Sequence, residues 1–273
     1  MLREEPFVSN NKLFLSVEPF KQVDDNLVVG FSTRINGKST DSYSSLNMGL
    51  HVQDNVCDVI ANREALAAEL GIPLSNWVFA DQVHGNNIKK VCKEDVGAGS
   101  LSLETAVKDT DGLYTREKNV LLASLYADCV PLYFYSTSAN IVGLAHAGWK
   151  GTVGEIGPKM IRIWVEDEKI PLETIYVAIG PSISQRCYEV DDYVIDRVRK
   201  IVQNENLAPY KEIATSKYLL DLKELNKQLL LNMGVNANHI FTSNYCTFNE
   251  KALFFSYRRE QKTGRMMSFI GRV

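Results

Sequence analysis

The sequence predicts an α/β (α+β) protein built as a mixed-sheet sandwich with helices on the outside. Short runs rich in β-branched and aromatic residues outnumber amphipathic helical segments by about two to one. Strict alternation of strands and helices also fails between residues 113 and 146, where several strands follow one another with only turns between them. A purely parallel, doubly wound sheet is therefore disfavoured, because its strands would alternate with helices.

Four segments carry apolar residues at the spacing of a helix. The first begins after Asp54 and ends before Gly71, a residue suited to a left-handed C-terminal cap. The other three cover residues 152–167, 191–203 and 221–233. We expect all four to pack their apolar faces against the sheets.

Nine runs have the composition of strands. They cover residues 28–32, 77–80, 88–92, 120–126, 130–135, 141–145, 175–179, 240–242 and 254–257. Two polar stretches, residues 35–49 and 93–112, are rich in loop-forming residues, but neither has the composition of a domain linker. We therefore predict one catalytic domain that spans residues 1–273.

Composition excludes several classes of function. A chain of 273 residues with 45% hydrophobic content can bury a large core, and its net charge of −3 disfavours nucleic acid as a partner. No apolar stretch approaches the roughly 20 residues that cross a membrane, and the acidic N-terminal segment is unlike a secretory signal. The five cysteines form an odd set without a C-x-x-C pair, which favours a reducing, cytoplasmic location.

Three short motifs each place one metal ligand beside a tight turn. They are Gln82-Val83-His84-Gly85, Ala127-Asp128-Cys129-Val130-Pro131 and Ala145-His146-Ala147-Gly148-Trp149-Lys150-Gly151. Each ligand alone has a structural alternative, as a turn histidine or a small buried cysteine. Together, His84, Cys129 and His146 would have to converge through the fold. Three protein ligands leave the fourth position of zinc for water or substrate, which is typical of a catalytic site.

Further polar residues extend the candidate site. The helix predicted after Gly148 offers free N–H groups to an anion, and Lys150 adds a positive charge. Arg34 has the guanidinium geometry to hold a phosphate. Asn47 and Arg258 are also candidates for binding, although each of these side chains has an alternative as a turn former or a solvated charge.

Acidic residues lie close to the ligand motifs. Asp109 and Asp111, in the sequence Asp-Thr-Asp-Gly, favour a turn with a supporting role beside the ligands. Deamination of a purine needs a metal-activated water and a proton carrier, and the H-x-E and P-C-x-x-C pattern of zinc nucleobase deaminases is missing. Asp111 and Asp128 both remain open as that carrier.

Ten motifs follow one another along nearly the whole chain. They are Gly30-Phe31-Ser32-Thr33-Arg34, Ser45-Leu46-Asn47, Asn62-Arg63, Gln82-Val83-His84-Gly85, Asp111-Gly112-Leu113, Ala127-Asp128-Cys129-Val130-Pro131, His146-Ala147-Gly148-Trp149-Lys150-Gly151, Gly180-Pro181-Ser182-Ile183, Cys187-Tyr188-Glu189 and Phe255-Ser256-Tyr257-Arg258-Arg259. In this order they resemble the YlmD/YfiH laccase-domain family. The resemblance implies an α/β/β/α sandwich like that of Cys-His hydrolases, with metal ligands at His84, Cys129 and His146. Thr110 departs from the commoner Asp-Ala-Asp-Gly form.

The resemblance also implies an activity. The family has been called multicopper polyphenol oxidase, and later purine nucleoside phosphorylase with adenosine deaminase and methylthioadenosine phosphorylase activities. The expected enzyme is zinc-dependent, splits adenosine, inosine or S-methyl-5'-thioadenosine with phosphate into free base and ribose 1-phosphate, and also deaminates adenosine. It would be a monomer or weak homodimer. The expected catalytic residues are His84, Asp111, Cys129 and His146, and the expected substrate- or phosphate-binding residues are Arg34, Asn47, Lys150 and Arg258.

Residue chemistry distinguishes the rival functions. A multicopper oxidase needs a second, imidazole-rich copper cluster that four histidines cannot supply, although a His₂Cys site can take Cu²⁺ in vitro. A cysteine amidase is the main alternative, with Cys129 as nucleophile and His146 as base, acting on peptidoglycan precursors. Bound zinc would block that thiolate. A non-enzymatic zinc protein is less favoured, because the open coordination position points to catalysis.

Overall fold

Two six-stranded sheets form the centre of the protein in a computed structural model that describes residues 4–9, 11–202 and 207–273. The strands are β1 (Phe7–Ser9), β2 (Phe14–Val17), β3 (Leu27–Ser32), β4 (Trp77–Phe79), β5 (Ile88–Lys90), β6 (Gly112–Thr115), β7 (Leu121–Tyr126), β8 (Val130–Ser136), β9 (Ile141–Ala147), β10 (Ile175–Ile179), β11 (Glu189–Asp191), β12 (Tyr210–Ala214), β13 (Lys217–Leu220), β14 (Ile240–Thr242) and β15 (Met266–Arg272). The helices are α1 (Glu18–Val23), α2 (Val56–Leu70), α3 (Trp149–Val153), α4 (Ile156–Arg162), α5 (Asp192–Arg199), α6 (Leu222–Asn232) and α7 (Tyr257–Glu260).

Both large sheets are mixed, as the sequence predicts. The first has the order β1-β2-β3-β15-β7-β4, and its β4–β7 pair is parallel while the other pairs are antiparallel. The second has the order β14-β10-β8-β9-β6-β5, with parallel pairs at both edges. A third, small antiparallel sheet is formed by β11, β13 and β12.

Alternation along the strands builds the layers. In β7, Leu121, Ala123 and Leu125 pack outwards with α2, whereas Leu122 and Tyr126 point between the sheets. The second sheet buries its own outer face against α4, α5 and α6. The result is an α/β/β/α sandwich with one core between the sheets and one core under each helical layer.

The predicted helices are present with changed limits. Gly71 caps α2 in the left-handed conformation. The segment predicted as one helix over 152–167 instead divides into α3, α4 and a π-helical turn, Ile163–Asp167, with the break at Glu155, whose φ is +56°. Of the prediction over 191–203, α5 occupies Asp192–Arg199 and residue 203 lies outside the described residues.

Strand prediction near the C-terminus was wrong. Residues 254–257 do not pair in a sheet; Ser256 instead caps α7 by accepting a hydrogen bond from the N–H of Arg259 at 3.2 Å. The missed strand is β15, which lies between β3 and β7 in the centre of the first sheet. Sequence patterns also missed the short strands β1, β2 and β6 and the three strands of the small sheet.

The topology gathers the ends of several strands at one end of the sandwich. Strands β4 and β7 are parallel, so both run towards the turns that follow Phe79 and Tyr126. In the other sheet, Pro131 of β8 lies opposite His146 of β9, and Gly112 of β6 lies opposite Ala145. Within the described ranges, no helix is long and apolar enough to cross a membrane.

Candidate metal centre

The three predicted ligands meet at this end of the sandwich. His84 lies in the turn after β4, Cys129 in the turn between β7 and β8, and His146 near the end of β9. Their ligand atoms all lie within 4.8 Å of one another. In the part of the chain that the structure describes, they form the single group of three or more His, Cys, Asp or Glu side chains arranged to hold a metal ion.

Asp111 orients His146. The Nδ1 atom of His146 lies 2.8 Å from Oδ1 of Asp111, and both side chains are nearly inaccessible to solvent. The backbone N–H of His146 also donates to the carbonyl oxygen of Asp111 at 2.7 Å. A carboxylate on Nδ1 fixes the tautomer and leaves Nε2 available to a metal.

The same carboxylate builds the turn that carries His84. The N–H groups of Val83, His84 and Gly85 donate to Asp111 at 3.2, 3.1 and 2.7 Å. His84 is held with φ at +61°, and its side chain is exposed on the cavity side. Asp111 therefore positions two of the three ligands, and these contacts occupy both of its oxygens.

Cys129 and His146 shift each other's pKa in the direction that favours a charged pair. Burial raises the pKa of the Cys129 thiol, but the His146 imidazolium and hydrogen bonds from His146 and His84 outweigh this and lower it to about 6. Burial lowers the pKa of His146, but the thiolate and Asp111 reverse that effect and raise it to about 9. The thiolate is the form that binds zinc or attacks an electrophile.

Two glycines let the start of α3 approach the ligands. A Cβ atom on Gly148 would lie 3.0 Å from Sγ of Cys129 and 3.3 Å from Cδ2 of His84. A Cβ atom on Gly151 would lie 3.0 Å from the carbonyl oxygens of both Gly85 and His146. The Gly-x-x-Gly spacing therefore serves close packing on the ligand turns.

Asp128 supports the turn that carries Cys129. Its φ is +97°, and its carboxylate accepts hydrogen bonds from the hydroxyls of Thr247 and Ser256 at 2.6 and 3.0 Å. The backbone N–H of Arg258 donates to it at 2.7 Å. Asp128 is 8% exposed and does not line the cavity beside the ligands. The contacts of Asp128 thus stabilise the turn, and neither Asp111 nor Asp128 is among the residues that line the cavity.

A cavity of about 490 Å³ opens beside the three ligands, within the size range of small-molecule sites. Its apolar wall includes the side chains of Leu50, Phe79, Leu103 and Leu125. Its polar lining includes Asp81, Tyr257 and two basic residues that the sequence analysis did not select, His51 and Arg265.

The two arginines of the cavity differ in how many of their guanidinium N–H groups are already hydrogen-bonded. Arg63 is buried and donates to the carbonyl oxygens of Met48, Gly99 and Ser100. Arg265 donates through Nη1 to Thr263 and Gly264, and within the described residues no acceptor engages its Nε or Nη2.

His51 is an exposed residue of the cavity lining whose surroundings favour the neutral imidazole. Burial, followed by the charges of Arg265 and Arg63, lowers the pKa of His51 to about 4. Its imidazole can therefore both donate and accept a hydrogen bond inside the cavity.

The four residues predicted to bind substrate or phosphate do not line this cavity. Arg34 donates to the carbonyl oxygen of Ser44, pairs with Glu260 at 3.3 Å and stacks on Phe255. Lys150 is exposed beside Trp149.

Asn47 and Arg258 also make contacts within the protein. Arg258 is exposed and donates to the carbonyl oxygen of Glu189 at 3.0 Å. Asn47 is buried, and its Oδ1 accepts the backbone N–H of Arg265 at 2.8 Å. That contact links a predicted binding residue to Arg265, which the sequence analysis did not select.

Comparison with known proteins identifies the family. The sequence model described as "Multi-copper polyphenol oxidoreductase laccase" matches residues 28–273. The chain belongs to this family. Purine nucleoside phosphorylase YlmD of Bacillus subtilis (strain 168) is 47% identical over 270 residues, covering 97% of each chain. Purine nucleoside phosphorylase YlmD of Geobacillus stearothermophilus is 51% identical over 246 residues, covering 90% of each chain.

Solved structures of laccase-family relatives have the same fold. The crystal structure of YlmD from Geobacillus stearothermophilus matches with a TM-score of 0.95 and 47% identity, covering 98% of this chain and 99% of that one. Bacillus licheniformis YfiH matches with a TM-score of 0.95 and 44% identity over the same shares of the two chains. The predicted YlmD/YfiH resemblance and the predicted fold class are both confirmed.

Replacing Asp111 with Asn should weaken zinc binding by about 10- to 100-fold, because an amide keeps one acceptor oxygen, loses the negative charge and points an NH₂ donor at either the His146 ring or the N–H groups of the His84 turn. Competition of the purified variant with a chromophoric chelator measures this. Asp109→Asn is the matched control, since Asp109 belongs to the same motif and its side chain is exposed. Equal zinc affinity in Asp111→Asn and the unchanged protein would contradict the assignment.

Proposed function

We propose that residues 1–273 act as a single catalytic domain, a zinc-dependent purine nucleoside phosphorylase. The observation that carries the proposal is one cavity that joins the three-ligand group to a basic end and an apolar wall. The names of the Bacillus and Geobacillus relatives support the same activity. The proposed substrates are adenosine, inosine and S-methyl-5'-thioadenosine together with phosphate. We further propose that the protein acts in the cytoplasm, as a monomer or weak homodimer.

His84, Cys129 and His146 have the chemistry of a zinc site. Two imidazoles and one thiolate are preferred zinc donors, and the hydrogen bond from His146 Nδ1 to Asp111 leaves Nε2 for the ion. When bound, zinc supplies a Lewis acid beside the substrate. Among the described residues no second ligand group exists for the copper cluster of a true laccase, and His239 stacks on Tyr176 away from this cavity.

The apolar wall suits a purine ring. Phe79, Leu103 and Leu125 contribute apolar side chains to the cavity lining, and Tyr257 adds a further aromatic ring. A planar, weakly polar base gains from burial against such side chains, while polar groups orient it. The base would therefore lie along this wall, with the ribose towards the ligands.

We assign phosphate to the basic end of the cavity. The unengaged N–H groups of Arg265 offer charge-assisted hydrogen bonds to phosphate oxygens, and neutral His51 can add another. Holding phosphate against the anomeric carbon supplies proximity and stabilises the charge that develops as the purine leaves. The four residues that were predicted to bind substrate or phosphate would then stabilise the surrounding loops instead. They are Arg34, Asn47, Lys150 and Arg258.

The proposed deaminase activity needs a proton carrier in the cavity. Asp111 and Asp128 are fully engaged by backbone and hydroxyl donors. Asp81 is the carboxylate among the residues that line the cavity. We therefore place the proton transfer for adenosine deamination on Asp81.

The charged pair favours one alternative function. Cys129, with its pKa lowered to about 6, and its partner His146 have the properties of the nucleophile and base of a cysteine amidase. Zinc and an acyl group would compete for the same sulfur, so the two activities require different metal states.

The function is tested by incubating zinc-loaded protein with adenosine, inosine or S-methyl-5'-thioadenosine, with and without phosphate. We expect free base and pentose 1-phosphate only with phosphate, and inosine from adenosine in either case. Cys129→Ala should lose both activities together with its zinc, whereas Cys92→Ala, at an exposed cysteine, should keep them. If no nucleoside is consumed while an amide-linked cell-wall precursor is cleaved, the amidase function is correct.

Replacing Arg265 with Met should raise the KM for phosphate by about 10- to 100-fold, because a charged hydrogen-bond donor contributes roughly 1.5–3 kcal/mol. The KM for nucleoside should change much less. Steady-state kinetics with varied phosphate measures both, and Arg265→Lys should restore part of the loss. A large rise in the phosphate KM in Lys150→Met, with none in Arg265→Met, would transfer the role to Lys150.

A further inference from the structure

Two cysteines lie side by side outside the metal centre. Cys187 lies in the turn between β10 and β11, and Cys246 follows β14. Both thiols are free, and Ser184 joins the two residues, because its N–H donates to Sγ of Cys246 at 3.3 Å and its carbonyl oxygen accepts the N–H of Cys187 at 3.0 Å. The Cys187 Sγ also donates to Oδ1 of Asn249 at 3.4 Å. Neither cysteine lines the 490 Å³ cavity, so the proposed phosphorylase does not use this pair.

The surroundings of Cys246 favour its thiolate. The backbone N–H of Ser184 donates to its Sγ at 3.3 Å. Burial raises the pKa of the Cys246 thiol, but the hydroxyl of Ser184 and the N–H groups of Ser184, Asn249 and Phe248 outweigh burial and lower it. A thiolate held by N–H donors is a good nucleophile.

A buried cation lies on the same side. Lys223 is 7% exposed, and its Nζ donates to the carbonyl oxygens of Ser243 and Tyr245 at 2.8 and 3.0 Å. Lys223 and Ser184 also line a small cavity of about 300 Å³, which brings solvent next to the residue that holds Cys246. The half-buried Cys187 is thus paired with a more buried, activated partner.

We propose that Cys187 and Cys246 form a redox-active dithiol that a peroxide oxidises to a disulfide. The Cys246 thiolate attacks one peroxide oxygen, the O–O bond breaks, and sulfenic acid forms while the leaving oxygen departs as water. The Cys187 thiol then attacks the sulfenic sulfur, forms the S–S bond and releases a second water. Two thiols lose two electrons and two protons, and one peroxide is reduced.

The disulfide would join two segments that hold Asp128. The N–H of Ile183 donates to the carbonyl oxygen of Asp128 at 3.0 Å, and the Thr247 hydroxyl donates to its carboxylate at 2.6 Å. Thr247 also donates from its N–H to Ser182 at 3.1 Å. Oxidation would therefore cross-link the two segments whose hydrogen bonds hold Asp128, the residue that precedes Cys129.

The test is hydrogen peroxide added in stoichiometric amount to reduced, zinc-loaded protein. Titration of the denatured protein should show the thiols falling from five to three, and peptide mapping should find a Cys187–Cys246 link that dithiothreitol removes. In Cys187→Ser, dimedone should label Cys246, whereas Cys246→Ser should leave Cys187 unlabelled. The Cys57→Ser/Cys92→Ser double variant is the control and should still lose two thiols, because both exposed cysteines are absent from it.

Several outcomes would contradict the proposal of a redox-active dithiol. All five thiols surviving, or a mapped disulfide that involves another cysteine, would contradict it. Dimedone labelling of Cys187 but not Cys246 in the single variants would reverse the order of reaction and refute the role of the N–H donors. These readouts do not involve nucleoside turnover, so they are independent of the phosphorylase test.

Discussion

The metal centre depends on one carboxylate. Asp111 holds the Nδ1 atom of His146 and the three successive N–H groups of the turn that carries His84. It is itself 1% exposed and lies at the start of β6, where β6 pairs with β9. A buried carboxylate is stable only when its hydrogen bonds are satisfied, and here those bonds also orient two ligands. The geometry of the His84 turn and the orientation of two ligands thus depend on one residue, Asp111, at the point where β6 begins to pair with β9.

Close packing completes the arrangement that Asp111 begins. Cys129 is positioned by the β7–β8 turn, which connects the two sheets. The shape of this turn depends on the contacts of Asp128 with Thr247, Ser256 and Arg258. Gly148 then lets α3 lie against both Cys129 and His84. The half-buried Cys129 and the buried His146 each favour the charged form of the other, and in the proposed enzyme a bound zinc ion would replace the imidazolium charge. The sandwich therefore supplies the contacts that position all three ligand side chains.

The sequence predicted the parts of the fold that have strong local signals. The apolar runs of β7, β8 and β9 and the capped helix α2 were found. The central strand β15 was missed because its sequence, MMSFIGR, has one β-branched residue and contains a glycine and an arginine. Ligand residues were predicted because each adjoins a glycine or proline turn. His51 and Arg265 carry no comparable motif; the loop contact from Asn47 brings Arg265 to the cavity, which only the tertiary structure shows.

The central claim is an open site of two imidazoles and one thiolate, and X-ray absorption at the zinc edge of the purified, zinc-loaded protein tests it most directly. The account predicts one sulfur at about 2.3 Å, two imidazole nitrogens at about 2.0–2.1 Å and one further light atom from solvent. Addition of inosine and phosphate should change the light-atom shell and leave the sulfur in place. A zinc environment without sulfur, or one closed by a fourth protein ligand, would contradict the account.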